Sequence, residues 1–213
     1  VGRPPKTETA QEDRSAAEKS SHSGKATDRD ETGPLIERAS YSDATALTGL
    51  AARAGAPRGF DGAYMIESFI HGENPETTLR AIGAALRPGA LLAICDDFPT
   101  PELAGDRVPK NRARVWRDEY RTGWHVGSFV TIDRLRSLAR ETGFEPLETR
   151  DLSTYVVVDR PRDFLVRLGA GPARVLDLRS SFWQNVRGGN ALQQLEKAGL
   201  MTYQLALFRR SAR

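Results

Sequence analysis

Apolar residues from position 35 onward fall into short runs that alternate with amphipathic segments. Two runs, Phe60–Ile66 and Ala90–Cys95, have the length and composition of buried strands, and Asp96 and Asp97 are predicted to end the second strand. The segment between them begins at Pro75 and carries apolar residues at helical spacing. This alternation predicts an α/β fold with a mostly parallel sheet.

Further elements extend the same pattern. Thr131 is predicted to cap a helix that ends at Gly143. Weaker signals predict strands at Pro34–Ala39, Phe144–Leu152 and Met201–Phe208 and a helical stretch at Ser42–Leu47. Two stretches, 98–130 and 153–199, do not fit the alternation. We expect them to be lid insertions over the carboxyl ends of the strands, where doubly wound folds bind ligands.

The first 34 residues differ in kind from the remainder of the chain. Val1 is their only large apolar residue, and they carry six basic and seven acidic side chains. Such a segment buries too little apolar surface to offset the entropy of ordering it. We therefore predict that 1–34 is disordered or not native to this fold, and that 35–213 forms one domain large enough for a core.

Composition excludes several classes of protein. Lys and Arg number 31 against 28 Asp and Glu, so the net charge is only +3, which is weak support for nucleic-acid binding despite the many arginines. Cys95 is the only cysteine and the three histidines are far apart, so no structural metal site is expected. No apolar run spans a bilayer and no secretory leader is recognisable. A cytoplasmic protein is the expectation.

The motifs, taken in order, are similar to those of a known family. They are Ser42–Leu47, Phe60–Tyr64, Glu67–His71, Pro75-Glu76, Leu86–Leu92 and Met201–Phe208. Over roughly residues 35–210 the chain resembles the class I S-adenosylmethionine-dependent methyltransferases that act on small molecules. The resemblance implies a Rossmann-like sheet, S-adenosylmethionine as cofactor, and methyl transfer to a small organic acceptor.

The resemblance also assigns cofactor contacts. It implies that Asp43, Ala44, Met65 and Glu67 bind the cofactor, with the Asp43 carboxylate accepting a hydrogen bond from the adenine amino group. The alternative for Asp43 is that it only caps the helix that begins at Ala44.

Glu67 and His71 are the candidate catalytic pair. They are four residues apart, so they share one face if a helical turn follows the strand. His71 suits removal of a proton from the acceptor, with Glu67 as its partner or as an acceptor ligand. A surface pair of little consequence is the alternative.

The first insertion supplies candidate contacts for the acceptor. Trp124, His125 and Tyr120 would cover it and exclude water, although ordinary lid packing explains the same residues. Asp96 and Asp97 would line the pocket, and we expect no metal there.

One departure from the family pattern bears on all of these assignments. The family has a glycine-rich loop after its first strand, where backbone must approach the cofactor, and no such loop follows an apolar run here. The first two strands are also missing, so we hypothesise an N-terminally incomplete methyltransferase sheet. A homodimer or a partner chain would then complete it at the exposed edge. The alternative function is an inactive methyltransferase-like fragment or binding module, and a nucleic-acid binder is a weaker third.

Overall fold

A four-stranded sheet organises the molecule. The computed structural model describes residues 37–105, 111–156, 168 and 180–212, and from Glu37 onward they belong to one compact unit. The strands are β1 Phe60–Ile66, β2 Leu86–Pro99, β3 Phe144–Asp151 and β4 Met201–Arg210, in the spatial order β1-β2-β4-β3. Strand β2 runs parallel to β1, and β4 runs antiparallel to both β2 and β3. Three strands therefore point the same way, and the predicted α/β class is confirmed.

Helices connect the strands, and three of them begin at a polar side chain that accepts a hydrogen bond from a first-turn N–H group. The helices are α1 Ala44–Arg53, α2 Pro75–Ala85, α3 Pro101–Ala104, α4 Asn111–Gly123, α5 Ile132–Glu141 and α6 Ser181–Lys197. Asp43, Asn74 and Thr131 each accept a hydrogen bond from the backbone N–H three residues further on. This arrangement is the usual N-cap, and it confirms the cap predicted at Thr131.

The main core lies where α2 and α5 cover one face of the sheet. Its fully buried members include Leu79 of α2, Leu135 of α5, Ile94 of β2 and Phe208 of β4. A second cluster joins α4 and α6 to the carboxyl end of β2 and the start of β4, and contains Tyr120, Leu192, Leu195 and Met201. No helix within the described ranges is long and apolar enough to cross a membrane.

Two predictions about strands are wrong. Strand β1 was expected to be buried, but it is buried on one face only: Met65 packs in the main core, whereas Tyr64 and Ile66 point to the other face and are 78% and 59% exposed. Strand β2 does not stop before Asp96 and Asp97 but continues to Pro99, because both carboxyl groups are buried with hydrogen-bond partners. The pairing of β1 with a further strand stays a prediction.

Other predictions fall partly outside the described residues. The segment 1–34 lies outside them, as does the start of the strand predicted at Pro34–Ala39, whose remaining residues have no regular structure. The insertion predicted at 98–130 contains the end of β2 together with α3 and α4. Of the insertion predicted at 153–199, the described part holds a short turn at Ser153–Tyr155 and helix α6.

Gly127 allows close contact between two loops. Its N–H donates to the Ile70 carbonyl, and a Cβ atom at this position would lie 2.8 Å from the His71 carbonyl oxygen and 2.9 Å from the Gly72 carbonyl carbon. We expect Gly127→Ala to lower the free energy of unfolding by about 1–3 kcal/mol, since backbone would have to move. Urea unfolding measures the change. Gly49→Ala in α1 is the control, because only the flexible Arg53 side chain lies near and stability should not fall.

Candidate active site

The Asp96 carboxylate joins the end of β2 to the turn that follows β1. One oxygen, Oδ2, accepts hydrogen bonds from the N–H groups of Phe69 and Ile70 at 2.8 and 3.2 Å, and Oδ1 accepts from the Asp97 N–H at 2.9 Å. The side chain is fully buried. Burial raises the pKa of Asp96, while the three N–H groups and His71 oppose the shift by stabilising the carboxylate. Asp96 therefore fixes the turn Phe69–His71, which follows Glu67 after β1 and ends at His71.

Glu67 occupies an unusual backbone conformation at the end of β1. Its φ is 48°, in the left-handed region that L-residues seldom adopt. Its N–H donates to the Cys95 carbonyl at 2.9 Å, and its carboxylate accepts a hydrogen bond from the Tyr203 hydroxyl at 3.3 Å. These two contacts compensate for the backbone strain and hold the side chain over the end of the sheet.

His71 ends the short turn Phe69–His71 and contacts the loop after α4. Its Nδ1 lies 3.4 Å from the carbonyl oxygen of His125, a residue that is itself in the left-handed region with φ 52°. The N–H groups of Gly127 and Ser128 donate to the carbonyl oxygen of Ile70 at 2.9 and 3.0 Å. His71 thus lies between two loops that are joined to each other by backbone hydrogen bonds.

The predicted relation between Glu67 and His71 is wrong in its geometry. A shared helical face requires both residues to lie in one helical turn, but the left-handed Glu67 precedes the turn that begins at Phe69. Both residues still lie at the carboxyl end of β1, Glu67 before the turn and His71 at the end of the turn. Glu67 contacts β4 and His71 contacts the loop at His125.

A polar cavity of about 400 Å³ opens beside His71. It is lined by side chains that donate or accept hydrogen bonds, including Ser40, Tyr41, Ser42, His71, Asn74 and Thr77. The hydroxyl of Ser42 lies 3.0 Å from that of the buried Thr78, which joins the loop before α1 to α2. Burial, followed by the nearby Asp96 charge, raises the pKa of Tyr41. The cavity wall therefore combines hydroxyl, amide and imidazole groups with the carboxylate of Glu73.

The predicted cofactor contacts divide into accessible and buried residues. Asp43 and Ala44 are exposed at the start of α1, where Asp43 Oδ1 accepts from the Ala46 N–H at 3.0 Å. Glu67 is exposed as well, whereas the Met65 side chain packs in the main core. A contact from Met65 to a cofactor would therefore come from its backbone.

Asp97 lies in a second buried polar pair. The Tyr120 hydroxyl donates to Asp97 Oδ2 at 3.1 Å, and both side chains are buried. Burial, then the negative charges of Glu196 and Asp96, raises the pKa of Asp97 to about 7. Burial, followed by the negative charges of Asp97 and Asp96, raises the pKa of Tyr120 above its ordinary value. This pair ties α4 to the end of β2.

The predicted acceptor contacts also divide into side chains that are packed and one that is exposed. Tyr120 is 1% exposed, and its ring centroid lies 5.9 Å from that of Trp124. A Cβ atom on Gly188 would lie 2.8 Å from Trp124, so the indole packs closely against α6. Only His125 has an exposed side chain. Tyr120 and Trp124 thus stabilise the packing of α4 on α6.

The described residues fit part of a nucleoside cofactor. Hydroxyl, amide and carboxylate groups at the start of α1 and around the cavity match the hydrogen-bonding needs of an adenosine. In the ranges that the structure covers, no glycine-rich loop follows a strand, and no group of three or more His, Cys, Asp or Glu side chains is arranged to hold a metal ion. Sequence reasoning missed Tyr203, since nothing local to β4 indicates its contact with Glu67.

Replacing Asp96 tests the anchor of the turn. Asp96→Asn substitutes an NH₂ group for one of the two accepting oxygens, so at least one buried N–H loses its partner. We expect the free energy of unfolding to fall by about 1–3 kcal/mol. Chemical denaturation provides the measurement, with the exposed Asp133→Asn as control. Equal stability of the Asp96 variant and the wild type would contradict the anchoring role.

Asp97 should make stability depend on pH. Its pKa of about 7 in the folded protein exceeds the ordinary 3.8, so the folded state binds the proton more tightly than the unfolded state. The resulting stabilisation is complete below about pH 4 and is lost as the pH rises through 7. Asp97→Asn should therefore flatten the fall in unfolding free energy between pH 4 and 7, measured by urea titration at each pH. Parallel profiles for the two proteins would refute the buried, proton-binding carboxylate.

Comparison with known proteins gives a consistent family. The family model described as "Methyltransferase domain" matches residues 4–149, more than half of the chain. O-methyltransferase resE of Aspergillus sclerotiorum is 33% identical over 139 residues, which are 59% of this chain and 50% of that protein. O-methyltransferase rstn1 of Aspergillus nomiae is 38% identical over 93 residues, 44% of this chain and 38% of that protein. The chain thus spans half or less of the length of these relatives.

A solved structure supports the fold. A geranyl diphosphate methyltransferase, determined in complex with S-adenosylmethionine, aligns with a TM-score of 0.50 at 12% identity, over 76% of this chain and 62% of that chain. At this identity the likeness concerns the fold alone. The family match, together with the Rossmann-like order and direction of the strands, confirms the resemblance found in the sequence: this chain belongs to the methyltransferase-domain family.

Proposed function

We propose that the protein transfers a methyl group from S-adenosylmethionine to an oxygen atom of a small organic acceptor. Membership of the methyltransferase-domain family supports the reaction type. The choice of oxygen follows the two Aspergillus relatives, both of which bear the name O-methyltransferase. The observation that carries the proposal is His71, held by two loops beside a polar cavity at the end of β1.

His71 acts as the general base. A backbone carbonyl only accepts hydrogen bonds, so the contact of His71 Nδ1 with the His125 carbonyl requires a proton on Nδ1. In the neutral imidazole the lone pair then lies on Nε2, which is the nitrogen that takes a proton. Removing the proton from an acceptor hydroxyl makes its oxygen a stronger nucleophile toward the methyl group that S-adenosylmethionine would supply, with the methyl–sulfur bond broken and S-adenosylhomocysteine as the leaving group.

The loop before α1 holds the adenosine end of the cofactor. Ser40 and Ser42 line the cavity with hydroxyl groups. Asp43 uses Oδ1 for the helix cap, and its second oxygen accepts from the adenine amino group, beside the exposed Ala44. When bound, S-adenosylmethionine supplies an electrophilic methyl group attached to a positively charged sulfur.

The end of β1 faces the reacting centre. The Glu67 carboxylate, fixed by its backbone and side-chain contacts, orients the acceptor or the cofactor, and Met65 contributes backbone. On the acceptor side, His125 offers an exposed imidazole and Trp124 an indole face. Tyr120 acts indirectly, by holding α4 through its bond to Asp97.

His71→Ala tests the base. We expect turnover to fall at least about 100-fold, the usual contribution of a general base, while the affinity for S-adenosylhomocysteine is retained. Methyl transfer is measured with radiolabelled S-adenosylmethionine and a panel of small phenols and hydroxy acids, and affinity by calorimetric titration.

Glu76→Gln serves as the control, because the partly exposed Glu76 side chain on α2 forms an ion pair with Arg80 in the next turn of the same helix. Its turnover should equal that of the wild type. Unchanged turnover in His71→Ala would remove the histidine from the mechanism. Loss of S-adenosylhomocysteine binding in that variant would instead reassign it to cofactor binding.

A further inference from the structure

We propose that Tyr203 is a positioning residue of the active site, which holds the Glu67 carboxylate through its hydroxyl. The proposal rests on the proposed function for the role of Glu67, whereas the hydrogen bond itself is independent of that function. Tyr203 lies 136 residues from Glu67 in sequence, on the strand that closes the sheet.

The topology of the sheet brings the two residues together. Tyr203 stands opposite Asp97 in the antiparallel pairing of β4 with β2, and β1 pairs with the other edge of β2. Strands β4 and β1 are therefore about 10 Å apart, which is two strand spacings. The Tyr203 side chain crosses β2 on the face that carries Cys95, and its hydroxyl lies 3.3 Å from Glu67 Oε1.

The chemistry fixes the direction of the bond. A carboxylate only accepts, so the phenol donates. Burial, a hydrogen bond with the Cys95 thiol and the negative charge of Glu67 all raise the pKa of Tyr203 above its ordinary value. The phenol therefore keeps its proton in neutral and mildly alkaline solution, and remains a donor under all conditions in which methyl transfer to a hydroxyl is plausible.

Glu67 needs such a partner. Its side chain is exposed, and an exposed glutamate ordinarily samples several rotamers. Its left-handed backbone, tied to the Cys95 carbonyl, directs the side chain toward β4, where the Tyr203 hydroxyl meets it. The tyrosine thus gives the carboxylate a defined position without itself contacting a substrate.

The bond is tested in solution by fluorine NMR on protein labelled with 3-fluorotyrosine. Tyr203→Phe identifies the Tyr203 signal by its loss. In Glu67→Gln the titration midpoint of that signal should fall by about 0.5 pH unit or more, because the carboxylate no longer stabilises the protonated phenol. Glu76→Gln is the matched control and should leave the midpoint unchanged. An unchanged midpoint in Glu67→Gln would overturn the proposal.

The positioning role is tested by turnover of the full chain on the acceptor panel. We expect Glu67→Gln and Tyr203→Phe each to lower kcat/KM, the second by about 3- to 10-fold, and the double variant to be no slower than Glu67→Gln alone. Multiplied effects, or full activity in Tyr203→Phe, would contradict the role. If the wild type neither binds S-adenosylhomocysteine nor methylates any acceptor, the proposed function fails, and the NMR titration alone decides whether Tyr203 holds Glu67.

Discussion

The candidate site depends on one buried carboxylate. Asp96 accepts hydrogen bonds from three backbone N–H groups, and two of these, from Phe69 and Ile70, fix the turn between Glu67 and the loop beyond His71. The same turn presents the Ile70 carbonyl to two N–H groups of the loop after α4. Without the anchor, buried N–H groups would lose their partners, at about 1–3 kcal/mol each. The hydrogen bonds of Asp96 thus contribute to the stability of the core and also fix the position of the proposed base, His71.

Two adjacent aspartates perform different tasks because strand residues alternate between faces. Asp96 points to the face covered by α2 and α5, where backbone N–H groups meet it. Asp97 points to the other face, where Tyr120 of α4 donates to it and Glu196 lies near in α6. Asp96 anchors the turn that bears His71, and Asp97 attaches α4 to the sheet.

The reversed strand β4 gives the site a partner that a purely parallel sheet would lack. By lying antiparallel between β2 and β3, it brings Tyr203 to the carboxyl end of β2 and within reach of Glu67. The opposite side of the described sheet ends at β1, whose Tyr64 and Ile66 are exposed. An edge strand of this kind leaves backbone N–H and carbonyl groups to which a further strand can pair.

Local pattern determined the position of several elements but not the helices within the two predicted insertions, and long-range contacts decided what surrounds each element. Caps at Asp43 and Thr131 and the positions of β1 and α2 follow from periodicity and polar side chains close in sequence. The family and the candidates Glu67 and His71 also came from local motifs. Periodicity could not show that Asp96 and Asp97 find partners inside a strand, since those partners lie 23 to 27 residues away. Nor could it show Tyr203 beside Glu67, because only the order and direction of the strands bring residues so distant in sequence within hydrogen-bond distance.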